Sequence, residues 1–332
     1  MKKIYYTFFT FIVSIAVLKA QDAPPQVSAY QAGAYQPGIM NVRDLATVPP
    51  GLVFLNYNYW NNSSSYYDRN GNQVDGFDTP NNGHVDLSQQ VGGYTTVPVV
   101  FWASKFKIFN ATYMASVAPS FLSSNYRMNI HKDSDDTNAS STGNAGGFGD
   151  LAVMPLGLGW TFGENIDLSF FYTMYIPTGR YETGASDNVG RGYWTHQFQL
   201  PFYYYMMEKS AALLVMPTYE INGTVEDSDV RPGSRMTLEY GFSYYVNSWL
   251  ELEVLNGHNW QIGDDNGNDV WWRDTPMYTK DKTSSVSFGV GVWPWEGRLN
   301  IRAKYAMDYG VEQRYKSNFW SLSAIFIPNI LN

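Results

Sequence analysis

Short and long connections alternate without exception along this chain, and few folds produce that pattern. Twelve strand-length stretches fall near 51–60, 96–106, 111–125, 149–161, 165–177, 193–206, 210–222, 235–246, 249–260, 284–295, 298–308 and 315–328. Short connections (107–110, 162–164, 207–209, 247–248, 296–297) separate long ones rich in Gly, Asn, Asp and Ser (61–95, 126–148, 178–192, 223–234, 261–283, with a brief 309–314). A soluble sandwich has no reason to gather its long loops at one end. A bacterial outer-membrane barrel does, with short periplasmic turns, long external loops and an even number of strands. The fold expected is therefore all-β: a transmembrane antiparallel β-barrel of about 12 strands over residues 51–332, in the cell outer membrane.

The strands themselves repeat every second residue. Ile166, Leu168, Phe170, Tyr172, Met174 and Ile176 share one face, and Asp167, Ser169, Phe171, Thr173 and Tyr175 the other. Eleven residues of this period match a tilted strand crossing a bilayer's hydrocarbon core. Leu299, Ile301, Ala303, Tyr305 and Met307 alternate with Asn300, Arg302, Lys304, Ala306 and Asp308 in the same way. The apolar sets should meet lipid. Aromatic residues beside the short turns (Tyr203, Tyr204, Tyr205, Tyr244, Tyr245, Trp249, Trp293, Trp295) suit a periplasmic girdle.

Residues 1–20 read as a signal peptide: Lys2 and Lys3, an apolar run from Tyr5 to Leu18, then Ala20. The apolar run is shorter than the roughly 20 residues a spanning helix needs. Without this leader the chain has 19 basic residues (22 less Lys2, Lys3 and Lys19) against 30 acidic ones, a charge of −11 that argues against a nucleic-acid partner. With no cysteine there are neither disulfides nor thiolate metal sites. Residues 21–50 carry five prolines and no period, and read either as an irregular periplasmic lead-in or as a plug in the barrel mouth.

The expected inner face supplies the lumen-lining candidates. Its charged members are Asp167, Glu220, Glu239, Glu251, Glu253, Arg302, Lys304 and Asp308, and Phe171, Tyr175, Tyr203 and Tyr245 add aromatic surface beside them. Acids on the eighth and ninth strands face bases two strands further along, which favours bracing of the wall over a selectivity ring. Twelve strands leave a lumen intermediate between a filled eight-stranded barrel and an open sixteen-stranded one. Gly289 and Gly291, also on the inner face, allow either a bend or relief of crowding.

GDLAVMPLGLGW at 149–160 and YIPTGRYETGASDNVGRGYWT at 175–195 resemble the signature of the outer-membrane transporters named for the meta pathway of phenol degradation. More distantly these resemble the channels for fatty acids and aromatic hydrocarbons. The resemblance is close over 149–202 and looser from Pro37 to the C-terminus. It implies passive uptake of small hydrophobic or aromatic compounds.

Little points to catalysis. The architecture invites comparison with outer-membrane phospholipase, whose serine follows two residues after its histidine. Here His196 is followed at that position by Phe198, leaving no nucleophile beside its base. The acids Asp133, Asp135 and Asp136, and Asp264, Asp265 and Asp269, lack the spacing of a calcium loop and read as solvated. No cofactor is expected. The partners expected are outer-membrane lipid, lipopolysaccharide and a small-molecule solute. The competing function is a structural or adhesive surface protein with a blocked lumen, whose mark would be large folded loops; the 61–95 connection is too polar to hold a core of its own.

Overall fold

The computed structural model describes residues 33–79, 83–132, 136–182, 185, 187–267, 280–295 and 297–328. The expected leader, 1–20, and residues 21–32 lie outside them, as do Asp133, Asp135 and Asp269. Among the described residues seventeen strands follow one another: β1 (Gly51–Tyr67), β2 (Gln73–Val74), β3 (Gly76–Thr79), β4 (Gly83–Ile108), β5 (Ala111–Ala118), β6 (Phe121–Lys132), β7 (Thr137–Phe148), β8 (Leu151–Phe162) and β9 (Ile166–Ile176), then β10 (Thr195–Gln199), β11 (Phe202–Met206), β12 (Ala211–Asn222), β13 (Arg235–Tyr245), β14 (Leu250–Gln261), β15 (Lys282–Trp295), β16 (Leu299–Glu312) and β17 (Arg314–Phe326).

Strand β1 pairs antiparallel with β4 on one side and with β17 on the other, Phe54 opposite Phe326, so the sheet closes on itself. The barrel has twelve staves. Three of them, β5 with β6, β7 with β8 and β10 with β11, are single staves broken once, two of the breaks falling at Pro119 and Pro201. Proline has no N–H for the ladder, so the break falls where the sequence withholds a donor. The first two breaks lie side by side and are stitched by the Gly149 N–H donating to the Ser120 carbonyl at 2.9 Å. Between β4 and β5 the turn residues Phe109 and Asn110 have φ of 52° and 63°, the left-handed pair that matches strand twist in a tight hairpin.

The two faces separate as the period-two pattern requires. Phe54, Val100, Leu213, Leu252, Phe288 and Val290 are exposed on the outer wall while their sequence neighbours are buried or half-buried. An exposed apolar band of this kind is stable only against hydrocarbon. Of the aromatics assigned to the girdle, Tyr204, Tyr244, Trp249 and Trp295 are exposed, but Tyr203 and Tyr205 are fully buried inside the barrel. Strand parity decides this: in a run of three tyrosines only the middle one can share the outer face with Phe202.

The long connections 61–95 and 126–148 are not loops. Strand β4 continues outward from the wall to Gly83, pairing with β6 from Thr96 opposite Phe121 up to Val85 opposite Lys132, and β6 pairs with β7 along its whole length. Alternation persists above the membrane: Val85, Leu87, Val91, Tyr126, Met128 and Ile130 are buried or half-buried on one side, while Asp86, Ser88, Gln90, Asn125, Arg127 and Asn129 are exposed on the other. Polarity of the whole segment hid an apolar stripe on half of its residues. The resulting wing leans over the mouth, where the Tyr315 hydroxyl of β17 donates to Gln89 Oε1.

Candidate functional site: the barrel lumen

Residues 33–50 run inside the barrel, from the outer end of the lumen to its periplasmic end. Ala34 N donates to Glu220 Oε2 at 3.3 Å near the outer end of β12. The Tyr35 hydroxyl donates to Glu239, and Gly38 N to the other oxygen of that carboxylate at 2.7 Å. Val42 N donates to Glu253 Oε2 at 3.0 Å, and Lys304 Nζ donates to the Met40 carbonyl. At the bottom Arg43 donates to Ser243 Oγ at 2.6 Å and to the Lys209 and Ser210 carbonyls at 3.0 and 3.1 Å, its guanidinium 4.5 Å from the Tyr245 ring. Prolines keep this segment out of the ladder, so its free N–H groups find carboxylate partners on the wall. A small cluster of Tyr35, Val42, Tyr203, Tyr205, Leu214, Met216 and Leu255 packs it in place.

The wall behind this segment is charged and fully buried. Arg302 lies beside three carboxylates: it donates to Glu251 and stands 3.6 Å from Glu253 and 3.8 Å from Asp44. Lys304 is 3.1 Å from Glu253, and Arg43 is 3.4 Å from Glu251. Gly289 and Gly291 make room for this network, since a Cβ on Gly289 would come within 2.7 Å of Glu253 Cγ and one on Gly291 within 3.0 Å of Arg302 Nε. A second cluster sits nearer the exterior, where Arg235 grips Asp281 through two hydrogen bonds at 2.6 and 2.7 Å and Arg314 reaches the same carboxylate at 3.1 Å.

The structure thus gathers Glu251, Glu253, Arg302 and Lys304, and ties Glu239 to the inner segment. Asp167 stands apart, accepting from Thr161 and Tyr205 at 2.7 and 3.0 Å, and Asp308 accepts from Ser285 Oγ and Ser317 N. Phe171 packs with Met114 and Met154, and Tyr175 is half-buried. Sequence reasoning missed Arg43, Asp44, Asp281 and Arg314, which lie outside the alternating runs. Parity with Glu239 would have found Arg235.

The opposite wall is different. The inward positions of β1, β4, β6 and the upper part of β8 are neutral: Val53, Leu55, Tyr57 and Tyr59 on β1, Thr95, Val97 and Val99 on β4, Leu122 on β6 and Ala152 on β8. Most are half-buried, whereas the charged wall is covered completely. Side chains that point into a closed barrel yet keep accessible surface border open space. Such space lies beside the neutral wall, which the inner segment meets where the Tyr57 hydroxyl donates to Asp44 Oδ2 at 2.7 Å and where Leu45 and Val48 pack near Met114, Met154 and Phe171.

The family described as "Putative MetA-pathway of phenol degradation" matches residues 67–324. The chain belongs to this family. Among solved structures, the COG4313 outer membrane channel from Pseudomonas putida F1 aligns with a TM-score of 0.63 at 15% identity, over 87% of this chain and 99% of that one. A FadL homologue from Pseudomonas aeruginosa aligns over 93% of this chain and 100% of its own with 13% identity and a TM-score of 0.46. No curated protein matches the chain. The shared fold places this member of the phenol meta-pathway family in the outer membrane.

One contact between external segments is titratable. Asp265 accepts from Gly233 N at 2.6 Å and Gln261 Nε2 at 2.8 Å, closing the 261–267 and 228–234 segments over the barrel rim. Burial pushes its carboxyl up to about 6, nearby Asp281 adding to the shift while the Gly233 N–H and Arg235 oppose it. The closed loop thus holds the proton more tightly than an open loop, whose pKa is about 3.9. The contribution of this carboxyl to holding the two segments together is fully present below about pH 4 and is lost as pH rises through 6, while the Arg231–Asn266 bridge and the bonds from Ile262 and Gly263 N to the Ser234 carbonyl remain. Amide exchange at Gly233 should therefore gain, beyond its intrinsic pH dependence, over that window, and Asp265→Asn, which keeps the acceptor oxygen, should remove the gain.

Proposed function

We propose that this barrel is a passive channel for small hydrophobic or aromatic compounds. What supports the reading is the division of the lumen into a charged wall covered by residues 33–50 and a neutral wall that the segment meets mainly through the Tyr57–Asp44 hydrogen bond and the packing of Leu45 and Val48, leaving Leu55, Val97 and Val99 half-buried at mid-height. A water-filled porin would leave its charges on the path. Here the charges brace the inner segment, and the path keeps apolar and phenolic surface that costs an apolar solute little to approach. Family membership agrees with this, and no energy source is needed.

Folded external loops favour one second reading, a surface protein that attaches to a partner. The wing turns its apolar stripe toward the mouth, with Gln89 held by Tyr315. Such a surface receives solute at the entrance more readily than it presents a binding face outward.

The test is single-channel conductance of the refolded protein in a planar bilayer, with and without small aromatic solutes. The channel should conduct weakly and be blocked by them. Val97→Asp should raise ion conductance and weaken the block several-fold, because an unpaired carboxylate would hydrate the path. A correctly inserted barrel with no conductance would instead establish a sealed structural protein.

A further inference from the structure

The outward face of the barrel continues past the membrane without changing sides. On β4 the exposed Trp102 and Val100 belong to the lipid-facing band, and the same parity carried upward reaches Gln90, Ser88 and Asp86. On β6 it runs from Phe121 to Arg127, Asn129 and His131, and on β7 from Phe148 to Thr142, Ser140 and Asn138. The register between these strands does not slip, so one surface is apolar below and polar above. The change begins above Phe121, which lies opposite Thr96 and Phe148, and Asp86 stands ten residues beyond Thr96, about 33 Å of strand.

A groove of about 510 Å³ crosses this polar surface. Register sets its side chains in two rows, one of Asp86, His131 and Asn138, the other of Ser88, Asn129 and Ser140. Asp75, in the link between β2 and β3, joins the lining, its carbonyl accepting from Leu87 N at 2.7 Å. His131 Nδ1 lies 3.1 Å from Asn138 Oδ1, which orients that amide. The size is that of a small-ligand cleft. The chemistry is polar, since hydroxyls, amides and carboxylates offer donors and acceptors together, with no Lys or Arg among the lining residues.

We propose that this groove binds uncharged sugar units of the lipopolysaccharide around the barrel, with Asp86, Asn129 and Asn138 bonding their hydroxyls. The occupant follows from continuity: a face that meets acyl chains below meets, above the hydrocarbon, the saccharide those chains carry. Charge narrows the class. Two carboxylates beside one imidazole repel phosphate and sugar acids, whereas a sugar hydroxyl donates to a carboxylate and accepts from an amide. A lining without Phe, Tyr or Trp offers no ring for stacking, so each unit binds weakly and the density of saccharide at the surface supplies occupancy. Held in this way, the wing keeps its apolar stripe turned toward the mouth. The inference is independent of what the lumen carries.

Core oligosaccharide freed from lipid A, used as isolated and after removal of its phosphates, is titrated against the refolded full chain in detergent and followed by saturation transfer to the sugar protons. Both forms should bind, the dephosphorylated one at least as tightly, and a chelator of divalent cations should change neither. Ser88→Leu with Ser140→Leu puts two branched side chains into the groove at exposed positions and should abolish transfer. Asn129→Ala should weaken binding by about three- to tenfold, the worth of one hydrogen bond. Asn144→Ala, on the same face outside the groove, should leave binding unchanged. Binding that survives the two leucines overturns the site. Binding lost on dephosphorylation or chelation overturns the neutral class, and no transfer from the unmodified chain overturns the proposal outright, leaving water alone on this face.

Discussion

Removing residues 21–46 should raise single-channel conductance several-fold and abolish discrimination between apolar and hydrophilic solutes. The inner segment lies against β12 to β16 at its outer end and crosses toward β1, β5, β8 and β9 at its periplasmic end, and its side chains and N–H groups account for partners of Glu220, Glu239, Glu251 and Glu253. Without it, water enters alongside a wall bearing four carboxylates, Arg302 and Lys304. The barrel itself should survive. Its ladder is closed independently through β1 and β17, and the exposed acids are rehydrated instead of being left buried and unpaired. The truncated chain should therefore fold with undiminished heat-modifiable mobility on gels while conducting cations preferentially. Unchanged conductance in a folded truncation would mean that the passage lies wholly along the neutral wall and that residues 33–46 only brace the barrel.

Most of the fold was legible because a membrane barrel writes itself twice into its sequence, once as alternation and once as connection length. Strands such as β13 and β16 place Glu239, Arg302 and Lys304 inward because their outward neighbours are unambiguous apolar residues. The rule weakens where both faces are similar. In β1 the inward Tyr57 and Tyr59 alternate with Asn56, Asn58 and Trp60, so nothing marks the two tyrosines as lining a passage. It also weakens where composition is averaged over a long stretch. Residues 83–95 are polar as a set, yet every second one packs into the wing.

The inner segment was harder to read for a different reason. Its partners are carboxylates more than 180 residues away, as with Ala34 and Glu220, Gly38 and Glu239, or Val42 and Glu253. No local pattern announces such pairings. One clue lies in an imbalance on the wall itself: the inward acids Glu220, Glu239, Glu251 and Glu253 outnumber the inward bases Arg302 and Lys304 among the positions singled out by alternation. A surplus of buried acid needs donors from elsewhere. Residues 33–50 supply them as backbone N–H groups and Arg43.

Arg302→Met should be the most destabilising single change in the lumen, by about 3–5 kcal/mol, the cost of leaving a buried ion network without its central partner. Arg302 is 2% exposed and lies between Glu251, Glu253 and Asp44. Methionine approximates its volume but none of its charge, so three carboxylates would remain with Lys304 and the more peripheral Arg43. Lys304→Met should cost less, because Glu253 keeps Arg302 and the Val42 N–H. Urea unfolding of the protein in lipid vesicles, followed by tryptophan fluorescence, gives both values. The double variant Arg302→Met, Glu251→Gln should recover part of the loss, since it removes the carboxylate that Arg302 bonds most directly and leaves Glu253 with Lys304 and the Val42 N–H. If Arg302→Met alone proves nearly neutral, water must already reach these carboxylates, and the charged wall would then belong to the solute path instead of bracing the segment in front of it.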